Sequence, residues 1–287
     1  VTLKVSFDSV AAGAYSGDLL FGLANCRNDI YKLPVSGICY YADIDRSPES
    51  LYPKIVNNLP KLNKVQNAFI TSTNEFYFGA LLVCKDRTRN STLAYKAALN
   101  LVNNSEFVVE TFCDLKVSGV KTAWHVENPN QSIKPGETGN LIIGFNPTSV
   151  DVYRNRLTIM IKDNPEPIYV DLLGEGCSPV CEISTTALDF DKLLLGMSRT
   201  LTFSIKNNGK IPAFWKIKGG NVLGNAFTIS TMEGVLNEKG SVTVTITFSS
   251  EKAYNAKKVL QIDIFDITKS RVFMSHHISV SAESFDV

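Results

Sequence analysis

Leu141-Ile142-Ile143-Gly144-Phe145 repeats the pattern of Leu3-Lys4-Val5-Ser6-Phe7. Eight residues after each Phe stands a tyrosine, Tyr153 and Tyr15. An apolar alternation follows in both copies, Leu157 and Ile159 in one, Leu19 and Phe21 in the other. Ile168-Tyr169 and Ile30-Tyr31 come next, and each copy closes on a short Gly and Cys segment, Gly174-Glu175-Gly176-Cys177 and Gly37-Ile38-Cys39. Phe7 to Phe145 and Tyr31 to Tyr169 are both steps of 138 residues. A period of two turns one face of each segment inward and the other outward, as in half-buried antiparallel strands.

A second register runs through the rest of the chain. Phe76-Tyr77-Phe78-Gly79-Ala80-Leu81-Leu82 matches Leu188-Asp189-Phe190-Asp191-Lys192-Leu193-Leu194 at an offset of 112, which falls to 104 at Asn103-Asn104 and Asn207-Asn208. The first of these copies therefore carries about eight extra residues around Thr88 to Tyr95, read as a loop insertion. Late in the chain Val242, Val244, Ile246 and Phe248 alternate with Thr243, Thr245 and Thr247. Turn signals recur at Asn146-Pro147, Asn164-Pro165-Glu166-Pro167, Asn208-Gly209 and Lys134-Pro135-Gly136. Many short strands rich in Thr, Val, Ile and aromatics, with regular turns, predict an all-β chain of tandem immunoglobulin-like β-sandwiches.

The expected organisation is residues 1–44 as the C-terminal half of one sandwich, 45–66 as a linker, and 67–179 and 180–287 as two complete sandwiches. Pro48, Pro53 and Pro60 exclude a long helix from the linker, leaving at most a short helical piece at Ser50 to Asn58. The first residues read as a mid-domain strand, so the sequence is expected to be a fragment of a longer protein. The junction near Ser178-Pro179 is short, which predicts a restricted angle between the last two sandwiches.

Apolar residues make up 44% of the 287 and charged residues 20%, a globular composition. The net charge of +1 lacks the basic excess through which phosphate binding supplies affinity, so no nucleic-acid partner is expected. No apolar run approaches the roughly 18–20 residues that span a bilayer. Cys26, Cys39, Cys84, Cys113, Cys177 and Cys181 fit neither a small disulfide scaffold nor a zinc site, and are read as free thiols. Sequons begin at Asn90, Asn103 and Asn130, and carry no meaning in a reduced, cytosolic protein.

Catalytic patterns are missing. His276 and His277 are adjacent on a predicted strand and point to opposite faces, and His125 follows Trp124 in another. No G-x-S-x-G segment occurs, and Gly219-Gly220-Asn221-Val222-Leu223-Gly224 lacks the Lys-Ser/Thr of a phosphate loop. Asp189 and Asp191 share a strand face at i, i+2, but sit among Leu and Phe as at a strand edge. Trp124 and Trp215 are placed in the core rather than at a binding hot spot. Lys257-Lys258 reads as a solvated strand end. The sequence therefore predicts no catalytic, cofactor-binding or metal residues, no cofactor and no enzyme activity.

Phe78-Gly79-Ala80-Leu81-Leu82-Val83-Cys84-Lys85-Asp86-Arg87 and Leu188-Asp189-Phe190-Asp191-Lys192-Leu193-Leu194-Leu195-Gly196 resemble the opening strand of an ASH-type domain, a PapD-like sandwich of ciliary and centrosomal proteins akin to the major sperm protein fold. Within that group the chain resembles repeats of the hydin family. Asn164-Pro165-Glu166-Pro167, Ile211-Pro212-Ala213-Phe214-Trp215-Lys216-Ile217 after Lys206-Asn207-Asn208, and Ala282-Glu283-Ser284-Phe285-Asp286-Val287 carry that likeness. Val83 and Cys84 depart from it, standing where a Gly is more usual. The resemblance implies a structural scaffold segment of a giant axonemal protein in the cytoskeleton of motile cilia and flagella. Its expected partners are other proteins of the central apparatus first and tubulin second, with no membrane and no small-molecule substrate. The alternatives are a sperm-protein-like module for acidic peptides, a centrosomal or ciliary ASH adaptor, or an extracellular adhesion or chaperone sandwich; the last predicts paired cysteines and a secretory context.

Overall fold

The computed structural model describes residues 2–22, 30–59, 65–83, 95–116, 123–219, 221 and 223–286. Cys26, Cys84, Asn90 and most of the expected insertion around Thr88 lie outside these described residues. Strands dominate throughout, and the only helix among the described residues is α1 (Pro48–Leu51).

The first body is a hairpin of β1 (Gly13–Gly22) and β2 (Ile30–Cys39). The next stretch holds α1, β3 (Ile55–Val56), β4 (Ala68–Ile70), β5 (Glu75–Leu82), β6 (Tyr95–Val102) and β7 (Val109–Leu115). It continues through β8 (Trp124–Val126), β9 (Asn130–Ile133), β10 (Thr138–Phe145), β11 (Val152–Ile161) and β12 (Ile168–Cys177). These strands form a sandwich of two sheets, β6-β10-β8 and β3-β4-β5-β12-β11-β7-β9. The last stretch opens with β13 (Cys181–Ile183), β14 (Ala187–Leu194), β15 (Ser198–Asn207), β16 (Ala213–Lys218) and β17 (Phe227–Ile229). It closes with β18 (Glu233–Leu236), β19 (Ser241–Ser249), β20 (Tyr254–Phe265) and β21 (Val272–Phe285). Its sheets are β13-β15-β19-β17 and β14-β21-β20-β16-β18.

From β5 to β12 and from β14 to β21 the two sandwiches correspond strand for strand. β5 and β14 both pair parallel with the closing strand, β12 or β21, and both ladders slip by one residue at the same place. Gly79 and Asp191, the 112-residue pair, both hold a positive φ there, 107° and 56°. Each extra residue bends its strand at the bulge. Asp191 therefore breaks the regular strand on which it was expected to share a face with Asp189.

An aromatic cluster fills each core. Trp124 stacks on Phe145 at 4.1 Å, with Phe78 at 4.7 Å from Trp124 and Tyr153 at 5.4 Å from Phe145. In the last sandwich Phe227, Phe248, Phe190 and Tyr254 take the same places. Trp215 is fully buried, as its sequence context predicts.

The stretch 45–66, expected as a linker, is packed structure where it is described. Asp45 N–H donates to Val102 O at 2.8 Å, the role Glu182 fills on β15 in the next sandwich. Ile44, Leu51 and Tyr52 are buried in the middle core, and Tyr52 stacks on Phe69 at 4.2 Å. β3 and β4 then extend the large sheet beyond β5, where the last sandwich has nothing beyond β14 among the described residues. Apolar residues at these positions and the short turn at Thr71–Asn74 hold the segment against the sandwich rather than in solvent.

The hairpin departs from the sequence reading in two ways. Residues 2–8 form no strand. Their counterpart β10 is held between β6 and β8, and here no such partners are present among the described residues. The ladder also pairs Tyr15 with Gly37, and in the middle sandwich Tyr153 with Gly174. Tyr31, Leu33 and Val35 thus correspond to Ile168, Val170 and Leu172, one residue away from the Ile30-Tyr31 alignment. The second copy has one residue more between its glycine and Cys177.

Candidate interaction surfaces

Candidate sites follow from what the strands leave at their ends, edges and faces. At the joint between the two full sandwiches, Cys177-Ser178-Pro179-Val180 leads from β12 towards β13. Asn208 and Gly209 both donate backbone N–H groups to Val180 O, at 2.8 and 3.2 Å, tying the connection to the last sandwich. Beyond that turn Ile211 is buried against Ala80 and Cys177 of the middle sandwich. Lys210 forms an ion pair with Glu175, whose carboxylate also accepts a hydrogen bond from Tyr77 Oη at 3.2 Å. Arg271 Nη2 donates to Val83 O at 3.3 Å. Burial and then Glu175 hold the Tyr77 phenol well above its ordinary range, and burial pushes the Cys177 thiol up to about 11.

A buried asparagine sets each joint-forming turn. Asn207 Nδ2 donates to Ile211 O and Leu236 O at 2.9 and 3.1 Å, and its Oδ1 accepts from Gly209 N–H at 2.9 Å. Asn103 repeats this, donating to Phe107 O and Ile133 O at 2.8 Å each and accepting from Ser105 N–H at 2.9 Å. Both asparagines are fully buried, and their amides satisfy their own polar groups on the backbone of the turn and the neighbouring strand. The sequon at Asn103 is therefore closed to modification in the folded chain, whereas Asn130 is exposed on β9.

The same correspondence places Phe107 where Ile211 stands. Ile211 is 7% exposed and Phe107 51%. Among the described residues nothing at the joint between the hairpin and the middle sandwich covers it as Ala80 and Cys177 cover Ile211.

The residues weighed in the sequence for chemistry are scattered. His276 Nε2 lies 2.8 Å from Cys181 O, and His125 lies beside Glu127 at the edge strand β8. Asp189 Oδ1 accepts from Asp191 N–H and Ser281 Oγ, and Asp191 pairs with Arg199. Cys39, Cys113, Cys177 and Cys181 are free thiols. Gly220 and Val222 of the glycine-rich loop lie outside the described residues. Among the described residues no cluster of three or more His, Cys, Asp or Glu side chains could hold a metal, and no helix is long and apolar enough to cross a membrane. Sequence reading placed the junction near Ser178-Pro179 but missed the contacts across it, because Lys210, Ile211 and Arg271 sit in turns, where no periodicity marks them.

Residues 179–276 match the family of HYDIN/CFA65/VesB-like Ig-like domains. The whole chain aligns with the hydrocephalus-inducing protein of Mus musculus at 31% identity over 295 residues, and with its Homo sapiens homologue at 28% over 292. The chain spans 6% of the length of each of these relatives. Among solved structures, PapD-like domain 7 of human CEP192 is 19% identical, with a TM-score of 0.32, covering 37% of this chain and 86% of that one.

Proposed function

We propose, on the premise that this chain is a segment of tandem hydin-type Ig-like repeats, that it is a structural scaffold element of an axonemal protein. It would act through protein-protein contacts in the central apparatus of motile cilia and flagella. The observation that carries this reading is the alignment of the entire chain, joints included, with hydrocephalus-inducing proteins. The joint at Ile211, Lys210 and Arg271 supports it, since sandwiches fixed end to end transmit load and present their edges in a set orientation. Neighbouring central-apparatus proteins are the partners this reading favours, with tubulin second, because a net charge of +1 offers little attraction for an acidic surface.

The test is to tag the full-length parent protein at its own locus in a ciliated cell and image it beside axonemal markers. Signal along the axoneme that disappears in cells lacking the central pair is the expected result. Signal confined to the centrosome, the endoplasmic reticulum or the cell surface would overturn the reading.

A further inference from the structure

In both full sandwiches the first long strand and the closing strand lie side by side and parallel. β5 runs along β12 from Glu75 opposite Asp171 to Leu82 opposite Cys177, and β14 along β21 from Ala187 opposite Ser279 to Leu194 opposite Phe285. Backbone bonds carry each ladder past its ends. Val83 N–H donates to Cys177 O at 2.9 Å, Ser279 N–H to Thr186 O at 2.9 Å, and Leu195 N–H to Phe285 O at 3.1 Å. Side chains cross the same seam: Tyr77 Oη donates to Glu175, Ser281 Oγ donates to Asp189 at 2.9 Å, and Lys192 lies 3.2 Å from Glu283. Because the paired strands are parallel, the chain enters at one end of the ladder and leaves at the other. A pull on the two ends slides one strand along its neighbour and strains every rung at once. Strands drawn apart from the same end lose their rungs one at a time.

The two sandwiches differ in what precedes this seam. Each has a short edge contact upstream of it, Asp45 on Val102 in the middle sandwich and β13 on β15 in the last. From that contact to the first long strand runs 184–186 in the last sandwich, three residues, and 46–74 in the middle one, 29 residues. The described residues of the longer stretch are docked on the sandwich without any such seam. Leu51 and Tyr52 are buried, β3 meets β4 at two residues, and β4 pairs antiparallel with β5 at three, beside the turn that joins them. Pulled from its upstream end, such a hairpin opens rung by rung.

We propose that each sandwich carries tension along the chain through its paired first and closing strands, and that 46–74 is a reserve of length the middle sandwich releases before its own seam fails. The last sandwich, with three residues in that place, holds no comparable reserve. The proposal deepens the scaffold reading by naming the load path. Its test is read on the chain alone and needs no cilium, so a wrong location and a wrong load path are separate outcomes.

The test stretches single molecules of the chain, tethered at position 41 and at the C-terminus, which keeps the β1-β2 hairpin out of the force path. An early low-force step that frees up to about 100 Å of chain is expected, then two high-force steps of about 350 Å, one for each sandwich. Tyr52→Ala removes the ring stacked on Phe69 and is expected to lower the force of the early step at least about twofold while leaving both late steps in place. Tyr52→Leu, which keeps the core filled but loses the stack, makes the same comparison in milder form. Tethers moved to Ala187 and Ser279, opposite each other at the first rung, are expected to open the last sandwich at no more than about half the force it bears end to end. Equal forces in the two geometries would overturn the seam as the load path. An early step that is missing, that comes only together with the middle sandwich, or that ignores both Tyr52 substitutions would overturn the reserve.

Discussion

Phe7 and Phe145 occupy one position in two copies of one pattern, and one is 51% exposed while the other sees no solvent. The hairpins behind them share register, Tyr15 opposite Gly37 and Tyr153 opposite Gly174. Register is thus a local property, written in alternation and turn length. Burial is not local, because an apolar sheet face needs a second layer. A lone two-stranded hairpin is marginal in water. The same division separates Phe107 from Ile211, whose backbone carbonyls are held by equivalent asparagines while their side chains meet different surroundings.

The largest expected contrast is between truncations at the paired phenylalanines. Phe145→Ala removes a ring stacked on Trp124 and should cost roughly 3–5 kcal/mol in denaturant unfolding of the middle sandwich. Phe7→Ala in the same chain should change that transition by less than about 0.5 kcal/mol. If Phe7→Ala is already severe in the present chain, the hairpin's face is covered by something else and the comparison fails.

Asn207→Ala comes next. It removes the buried hydrogen bonds to the carbonyls of Ile211 and Leu236 and from the Gly209 N–H, and should cost about 1–3 kcal/mol in unfolding of the last sandwich. Asn103→Ala should cost the middle sandwich a similar amount. Unequal costs would show that burial of the neighbouring Ile211 or Phe107 contributes to the asparagine's effect.

The glycines under the rings sharpen the comparison further. A Cβ at Gly174 would lie 2.5 Å from the Phe145 ring, and one at Gly37 3.2 Å from the Phe7 ring. Phe145 is locked by Trp124, so Gly174→Ala should cost about 1–3 kcal/mol as overpacking. Phe7 can swing into solvent, so Gly37→Ala should be nearly neutral in thermal or denaturant unfolding of the present chain.

What the sequence made legible is what these pairs share. Alternation located the strands, the Phe and Tyr spacing located the ring contact, and the Asn103 and Asn207 match located the turn asparagines. The alignment of Ile30-Tyr31 with Ile168-Tyr169 slipped by one because both positions are apolar in both copies; only the ladder shows which of them faces inward. The segment 45–66 was read as a linker because three prolines break periodicity. Its burial rests on Leu51 and Tyr52 finding a sheet edge that no local pattern announces. The joint residues were invisible for the related reason that turns carry no period.

The smallest expected effect lies at the joint itself. Lys210 is 58% exposed and Glu175 12%, so their pair is screened on the lysine side and should contribute no more than about 1 kcal/mol. Lys210→Gln should therefore leave the unfolding of each sandwich almost unchanged while loosening their mutual orientation, read as a broader distance distribution between spin labels placed on β11 and β20. Raising salt should broaden the wild-type distribution towards that of the variant, because the charge is partly in solvent. Ile211→Ala should broaden it more, and without salt dependence, since its contact with Ala80 and Cys177 is apolar. If neither substitution alters the distribution, the joint is set by the short connection, the turn bonds at Val180 and the Arg271 bond to Val83 O, and not by the Ile211 and Lys210 contacts.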